Sequence, residues 1–437
     1  MTSVSSFLGI QTALRGLQAQ QRSLDVTSHN IANAQTVGYS RQEASLTAFR
    51  SLELEAGAVA TGGGAFLGQG VEVEAYRRMR DGFIDLQFRA QRMAASEREA
   101  RAAGLAGVEE AINEPGEAGL NALLQRHWDA WQDVANQPSD VAARQALVSH
   151  AQGLAAGLHD LDGRLARLGA YAADQEAVLA GAQGPIGPMA TELAQLGGAI
   201  RREEAAGRQP NELLDRRDLL LDRLSELGQV SVADANGDGV ADVLFGGAAS
   251  PLVDGASGTV TWPQALPAPG GRIGGLRTLQ ADIAGYRADL DALTGQLVNG
   301  VNAIHSPPGF FTGTTAASIA VNVSAGTVRP GASGAPGDND IARAVGNLRN
   351  GAVDAAWATL VRRVGGDSAE ARQAQDTAQA LLGGIEDRRS SVAGVSMDEE
   401  MANMVRFQRG YQASARAMST LDEMLDVLIN RTGRVGL

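Results

Sequence analysis

Residues 7–31 read FLGIQTALRGLQAQQRSLDVTSHNI, and this stretch decides the fold. Phe7, Ile10, Leu14, Leu17, Leu24 and Ile31 fall on alternating three- and four-residue steps, with Gln21 and Ser28 at the two polar steps. A repeat of that kind lays one apolar stripe along one side of an α-helix, at the period of a coiled-coil seam. The stripe ends in Asn30-Ile31-Ala32-Asn33, and Gly38 breaks the helix beyond it.

The far end of the chain repeats the pattern. Met404, Phe407, Tyr411, Met418, Leu421, Leu425 and Leu428 take the same steps, with Ser414 the one polar position. Ser396 with Glu399 three residues on forms a capping-box signature, so a helix is expected over 398–430, about 50 Å long. Neither stripe has a partner close by in sequence. The simplest partner for each is the other, which puts the two chain ends side by side. A two-helix hairpin buries one stripe per helix and leaves its flanks bare, so burial against neighbouring subunits is also expected.

Between the ends the chain reads as helices, then strands, then helices. Residues 44–73 are rich in Gly, Ser and Thr and read as hairpins or loops. A long helix is expected over 81–113, stopped by Pro115-Gly116, and a shorter one carries Leu120, Leu124, Trp128 and Trp131. Ser139 is a candidate cap for the next, whose Leu154, Leu158, Leu161, Leu165 and Leu168 form another seam. Pro185 and Pro188 interrupt it; pattern resumes to about Glu204, and Pro210-Asn211 opens a helix to Leu227. Residues 229–271 alternate with turn residues between, a small β unit. Helix returns from Leu276 to Pro307, a strand is expected at 318–323, and a last central helix over 353–387.

The expected fold is mainly α with a small β region: a nested multi-domain rod with N- and C-terminal helices paired as a coiled coil, a central helical bundle and a short β-hairpin domain. The division is 1–43 with 390–437 as a terminal assembly domain, 44–228 with 272–389 as a central helical domain, and 229–271 as the β domain.

Composition narrows the function. At 437 residues the chain holds two or three domains, and with only 4% aromatic residues Ala and Leu supply most of the packing. The net charge is −13, which argues against a nucleic-acid partner. No run of eighteen apolar residues exists, so no membrane span is expected. All 37 basic residues are arginine, read as base bias in the genome. With no cysteine, thiolate metal sites and disulfides are excluded. Residues 1–10 lack the basic and apolar regions of a cleavable secretory signal.

Reactive constellations are missing. None of His29, His127, His150, His159 and His305 is followed by Glu, and no G-x-S-x-G elbow occurs. Gly62-Gly63-Gly64 to Gly70 lacks a phosphate-binding lysine and precedes a strand, so it reads as a hairpin loop. Asp234 to Asp242 matches the start of a calcium loop, but Phe245 stands where the closing Glu belongs, so a turn is favoured over a calcium site. Trp128 and Trp131 read as core rather than an exposed binding patch. Asp215-Arg216-Arg217-Asp218 reads as a solvated helix face.

The ends also carry a resemblance. Residues 28–39, Ser28-His29-Asn30-Ile31-Ala32-Asn33-Ala34-Gln35-Thr36-Val37-Gly38-Tyr39, are similar to the signature of bacterial flagellar rod, hook and hook-associated proteins, and Ser40-Arg41-Gln42 narrows the likeness to the hook-associated branch. Residues 394–403, Arg406-Phe407-Gln408 and residues 411–416 resemble the C-terminus of that branch; residues 210–218, 301–305 and Phe310-Phe311 agree. Ala34 and Val37 depart from the usual signature, the β region is shorter than the outer domain of longer members, and 431–437 run past the usual end.

The resemblance implies a non-enzymatic subunit without cofactor or metal. It implies export through the flagellar channel with a dedicated chaperone on the C-terminal helix. It also implies a homo-oligomeric ring between the hook protein and a second hook–filament junction protein. The assembly surface it implies is Leu14, Leu17, Leu24, Asn30, Ile31, Asn33, Gly38 and Tyr39, with Met404, Phe407, Tyr411, Met418, Leu421 and Leu425. The competing readings are a hook or rod protein with the same ends, a calcium-dependent adhesive module, and a hydrolase inserted in a flagellar scaffold.

Overall fold

The computed structural model describes residues 8–54, 65–112, 114, 116, 119–235 and 237–431. Phe7, Gly62-Gly63-Gly64, Pro115, Asn236 and the tail after Arg431 lie outside the described residues, as does the side chain of Leu428. The first apolar stripe forms α1 (Leu8–Asn33). A β-ribbon follows: β1 (Gln42–Ala48) pairs antiparallel with β4 (Val71–Arg78), and β2 (Leu52–Leu54) with β3 (Ala65–Leu67) between them. The ribbon folds back along α1. Arg15 Nη1 donates to Gln69 O at 2.8 Å and its guanidinium lies 3.6 Å over the Phe49 ring.

The helical body is α2 (Gly82–Ile112), α3 (Leu120–Asn136), α4 (Val141–Ala180), α5 (Ile186–Ala205), α6 (Asn211–Leu227), α7 (Gly271–Ile304), α8 (Asp340–Gly346) and α9 (Ala352–Ala393). Two short pairs interrupt it, β5 (Val230–Ala233) with β6 (Asp242–Phe245) and β7 (Phe311–Thr312) with β8 (Ala320–Val321). α10 (Met397–Asp426) then returns along α1 and closes in a π-helical turn, Val427–Arg431.

Among the described residues, two apolar cores hold the body. The larger joins α2, α3, α4, α7, α8 and α9. Leu154, Leu158, Leu161 and Leu165 of the α4 seam are buried in it. Trp128 and Trp131 are fully buried beside Phe310 and Phe311, with ring centroids of Trp131 and Phe310 5.0 Å apart. α2 and α7 cross closely at Gly275, where a Cβ would run into the Glu97 carbonyl. The smaller core joins α5 and α6 to β5, β6, Leu252, Val253 and Ile273.

Phe245 is buried in that smaller core. Asp234 accepts from the backbone N–H groups of Gly237, Asp238 and Gly239, and Asp242 from those of Ala235 and Gly255. These carboxylates shape a turn. Among the described residues no three His, Cys, Asp or Glu side chains gather to hold a metal ion.

Several local expectations need correcting. Asp140, not Ser139, caps α4, because its carboxylate accepts from Ala142 N at 2.8 Å. The strand expected over 318–323 shortens to Ala320–Val321, and α8 had too few apolar repeats to be noticed. α7 starts five residues before Leu276, and α9 runs six past Asp387. The largest correction concerns Asp215 to Asp218. Asp215 and Asp218 are buried, not solvated, and so is Asp222 one turn on. α6 lies against α2 and β4, and Arg78 of β4, Arg80 of the connection after it and Arg89 of α2 meet these carboxylates. Spacing within one helix shows that charges share a face; it does not show that a cationic partner covers it.

Candidate assembly interface

α1 and α10 run antiparallel in a constant register. Gly9 faces Leu421, Gly16 faces Ser414, Gln20 faces Gly410, and Asn30 meets Glu400. The line of closest approach on α1 is therefore Gly9, Gly16, Ser23 and Asn30. It lies one residue away from the apolar line Ile10, Leu17, Leu24 and Ile31. Small side chains let α10 seat its own stripe there, and the fully buried residues of α1 are Ala19, Ser23, Thr27 and Asn30.

The apolar line of α1 is left on the flank. Leu14 is 40% exposed, and Leu17, Leu24 and Ile31 are half-buried. On α10, Met404, Phe407, Met418, Leu421 and Leu425 are half-buried, Tyr411 is exposed, and Glu400 is the one fully buried residue. Covering what remains of these ten apolar side chains is worth roughly 0.3–1 kcal/mol each.

The base of the arm is polar. Asn30 Nδ2 donates to Gln42 O at 2.9 Å and to Glu400 Oε2 at 3.2 Å, while its Oδ1 accepts from Gln42 N and from the Tyr39 hydroxyl. Arg41 Nε donates to Glu400 Oε1 at 2.8 Å and its Nη1 lies 3.2 Å from Glu399. Asn33 closes the end of α1: its Nδ2 donates to His29 O, and its Oδ1 accepts from Thr36 Oγ1. Gly38 turns the chain with φ +85°, and Leu219 of α6 sits 3.0 Å from where a Cβ would stand. That places Ser40 on α6, where its N and Oγ both donate to Asp215.

Electrostatics here favour fixed protonation states. Burial, then the nearby Asp215, Glu212 and Glu400 carboxylates, raise the Tyr39 pKa, so its hydroxyl stays a donor to Asn30. Burial alone would raise the Asp218 carboxyl; Arg80, Arg217 and Arg78 outweigh it and hold it below the usual carboxylate range.

Of the residues singled out from sequence, the structure gathers Asn30, Asn33, Gly38 and Tyr39 into this polar base. It distributes the ten apolar residues along the two helices above. Sequence reasoning missed Glu400, Asn211 and Asp215 as members of the base. A Glu in the first turn of a capped helix looks like an exposed dipole partner. Only the matching Arg41 on the far end of the chain, in the same signature as Asn30, hinted otherwise.

Three family models match. Residues 10–39 match the flagella basal body rod protein model, 105–265 the flagellar hook-associated protein FlgK helical domain, and 389–431 the flagellar basal body rod FlgEFG protein C-terminal. The flagellar hook-associated protein 1 of Bacillus subtilis is 26% identical, with 98% of this chain and 99% of that protein covered. That of Escherichia coli is 24% identical over 96% of this chain and 99% of that protein. That of Salmonella typhimurium is 30% identical over 52% of this chain and 39% of that protein. The flagellar hook junction protein FlgK of Burkholderia pseudomallei aligns over 50% of this chain and 43% of that one, with 26% identity and a TM-score of 0.43.

Proposed function

We infer that this chain, a member of the flagellar hook-associated protein 1 family, is a structural subunit of the bacterial flagellum, forming the junction between hook and filament. As a flagellar component it works outside the cell. The finer reading is ours. The chain has no catalytic role and leaves the cell through the flagellar export channel, with a dedicated chaperone holding α10. It then joins copies of itself in a ring between the hook protein and a second junction protein. Because the β1–β4 ribbon lies along α1, the assembly arm is drawn as 1–78 with 394–437 instead of 1–43 with 390–437, the helical body as 79–228 with 272–393, and 229–271 as a β unit seated on α5 and α6.

One observation carries the assembly reading. The ten apolar residues of α1 and α10 remain partly exposed when the two helices are already together. Neighbouring arms supply the missing cover, and the α1–α10 pair becomes one element of a supercoiled bundle. The test is Leu17→Asp and, separately, Leu421→Asp in the native gene. Each variant is expected to abolish filament attachment and motility while the purified full-length variant keeps the helical signal of its body. Normal motility in both variants refutes the role given to these faces.

A further inference from the structure

The arm, made of α1, the β1–β4 ribbon and α10, meets the body through charges instead of an apolar core. Among the described residues, no side chain of either apolar core comes from α1, β1, β4 or α10. The chain crosses between arm and body at two places, Met79–Asp81 and Gly394–Ser396. Around them the contacts are Ser40 and Arg78 on Asp215, Arg78 on Asp218, and Gln42 and the Tyr76 carbonyl on Asn211. Backbone bonds from Met79 N to Arg41 O and from Arg41 N to Ala393 O tie the two crossings together. Leu219 of α6 also lies against Gly38.

Behind this seam the body carries its own ionic brace. Arg89 and Arg389 hold Asp222, Arg80 and Arg389 hold Asp85, and Arg389 stacks 4.4 Å over the Phe88 ring. Three arginines, Arg80, Arg89 and Arg389, and three aspartates, Asp85, Asp218 and Asp222, thus balance one another within the body. The turn at 37–40 has room on both sides. One cleft of about 490 Å³ separates it from the end of α9, and another of about 250 Å³ lies between α1 and α6.

We propose that this ionic seam is a hinge: the arm turns about the Met79–Asp81 and Gly394–Ser396 connections when Asp215 releases Ser40 and Arg78, and each side keeps its own fold. Directional charge-assisted bonds hold one orientation well, yet breaking them opens no apolar core to water. Arm and body can then settle at the angle their neighbours impose, because the strain is confined to a few exchangeable bonds.

The full chain without native cysteine permits a direct test. Exposed Gln21 on α1 and exposed Glu99 on α2 are changed to Cys and spin-labelled, and the distance distribution is read by pulsed electron resonance. The parent is expected to give one narrow distance. Asp215→Asn, and independently Ser40→Ala with Arg78→Gln, are expected to raise the undocked population roughly a hundred-fold, seen as added distances. The urea midpoint of the body should stay at the parent value in the second variant. If Asp215→Asn fails to fold, the second variant decides. A distribution as narrow as the parent's overturns the hinge. Unfolding of the body in that variant also overturns it, since the seam would then be part of the body's own support.

Discussion

Glu400→Ala removes the one fully buried side chain of α10. Glu400 is 1% exposed and accepts from Arg41 Nε at 2.8 Å and Asn30 Nδ2 at 3.2 Å. Deleting one member of a fully buried ion pair costs about 3–5 kcal/mol, mostly because the other charge is stranded. Arg41 is less stranded than that: its side chain is 23% exposed and keeps Glu399 at 3.2 Å. The expected loss is therefore about 2–3 kcal/mol, and it falls on docking of α10 to α1. Each 1.4 kcal/mol is about tenfold in an equilibrium, so amide exchange across residues 397–407 should quicken roughly 30- to 150-fold. Amides of α3 and α4, which share no core with Glu400, should exchange as in the parent. Glu400→Gln keeps an acceptor and should cost only about 1 kcal/mol. Unchanged exchange in α10, or an equal loss in α3 and α4, refutes the idea that Glu400 anchors the arm separately from the body.

Asp218→Ala takes one carboxylate from Arg78, Arg80 and Arg89 at once, while each keeps another in Asp215, Asp85 and Asp222, and should lower body stability by about 2–3 kcal/mol, read as a fall in urea midpoint. His127 is fully buried; its Nε2 accepts from Trp131 Nε1 and its Nδ1 has no partner among the described residues. Burial, with His150 nearby, pushes its pKa down to about 3. Below about 6.5 the unfolded chain takes a proton that the folded chain refuses, so stability from this site is lost as pH falls from 6.5 towards 3, at about 1.4 kcal/mol per unit. His127→Gln should flatten that part of the urea-midpoint profile by this slope. Gly38→Ala forces a side chain into φ +85° against Leu219 and should cost roughly 1–3 kcal/mol. Gly68→Ala, with open space around it and no left-handed φ, should be neutral, both variants being read by thermal melts.

The helices were legible where local signals are strong. Ser396 caps α10 as its spacing implies, with Glu399 N donating to its Oγ, and Asn211 opens α6. Trp128 and Trp131 were readable as core from their shared face with Leu124. What was hidden lies between elements. The apolar stripe of α1 is plain in the sequence, but the face that meets α10 is the line of Gly9, Gly16 and Ser23 beside it. A one-residue turn of a helix changes its partner without changing its period. Asp215 and Asp218 looked solvated because their counter-ions, Arg78 and Arg80, stand more than a hundred residues earlier. The arm's base was half legible: Asn30 and Tyr39 stand in one signature and Glu400 in another, and only the fold brings them within hydrogen-bond reach.

Leu14 and Met418 offer the most direct measurement. With no cysteine in the chain, Leu14→Cys and Met418→Cys report access at one position on each helix. Maleimide labelling of each variant is compared as free protein and within purified hook–filament junctions. Both sites are predicted to react readily in the free protein and to be protected many-fold once assembled. Equal reactivity in the two states would contradict the claim that neighbouring subunits cover these helices.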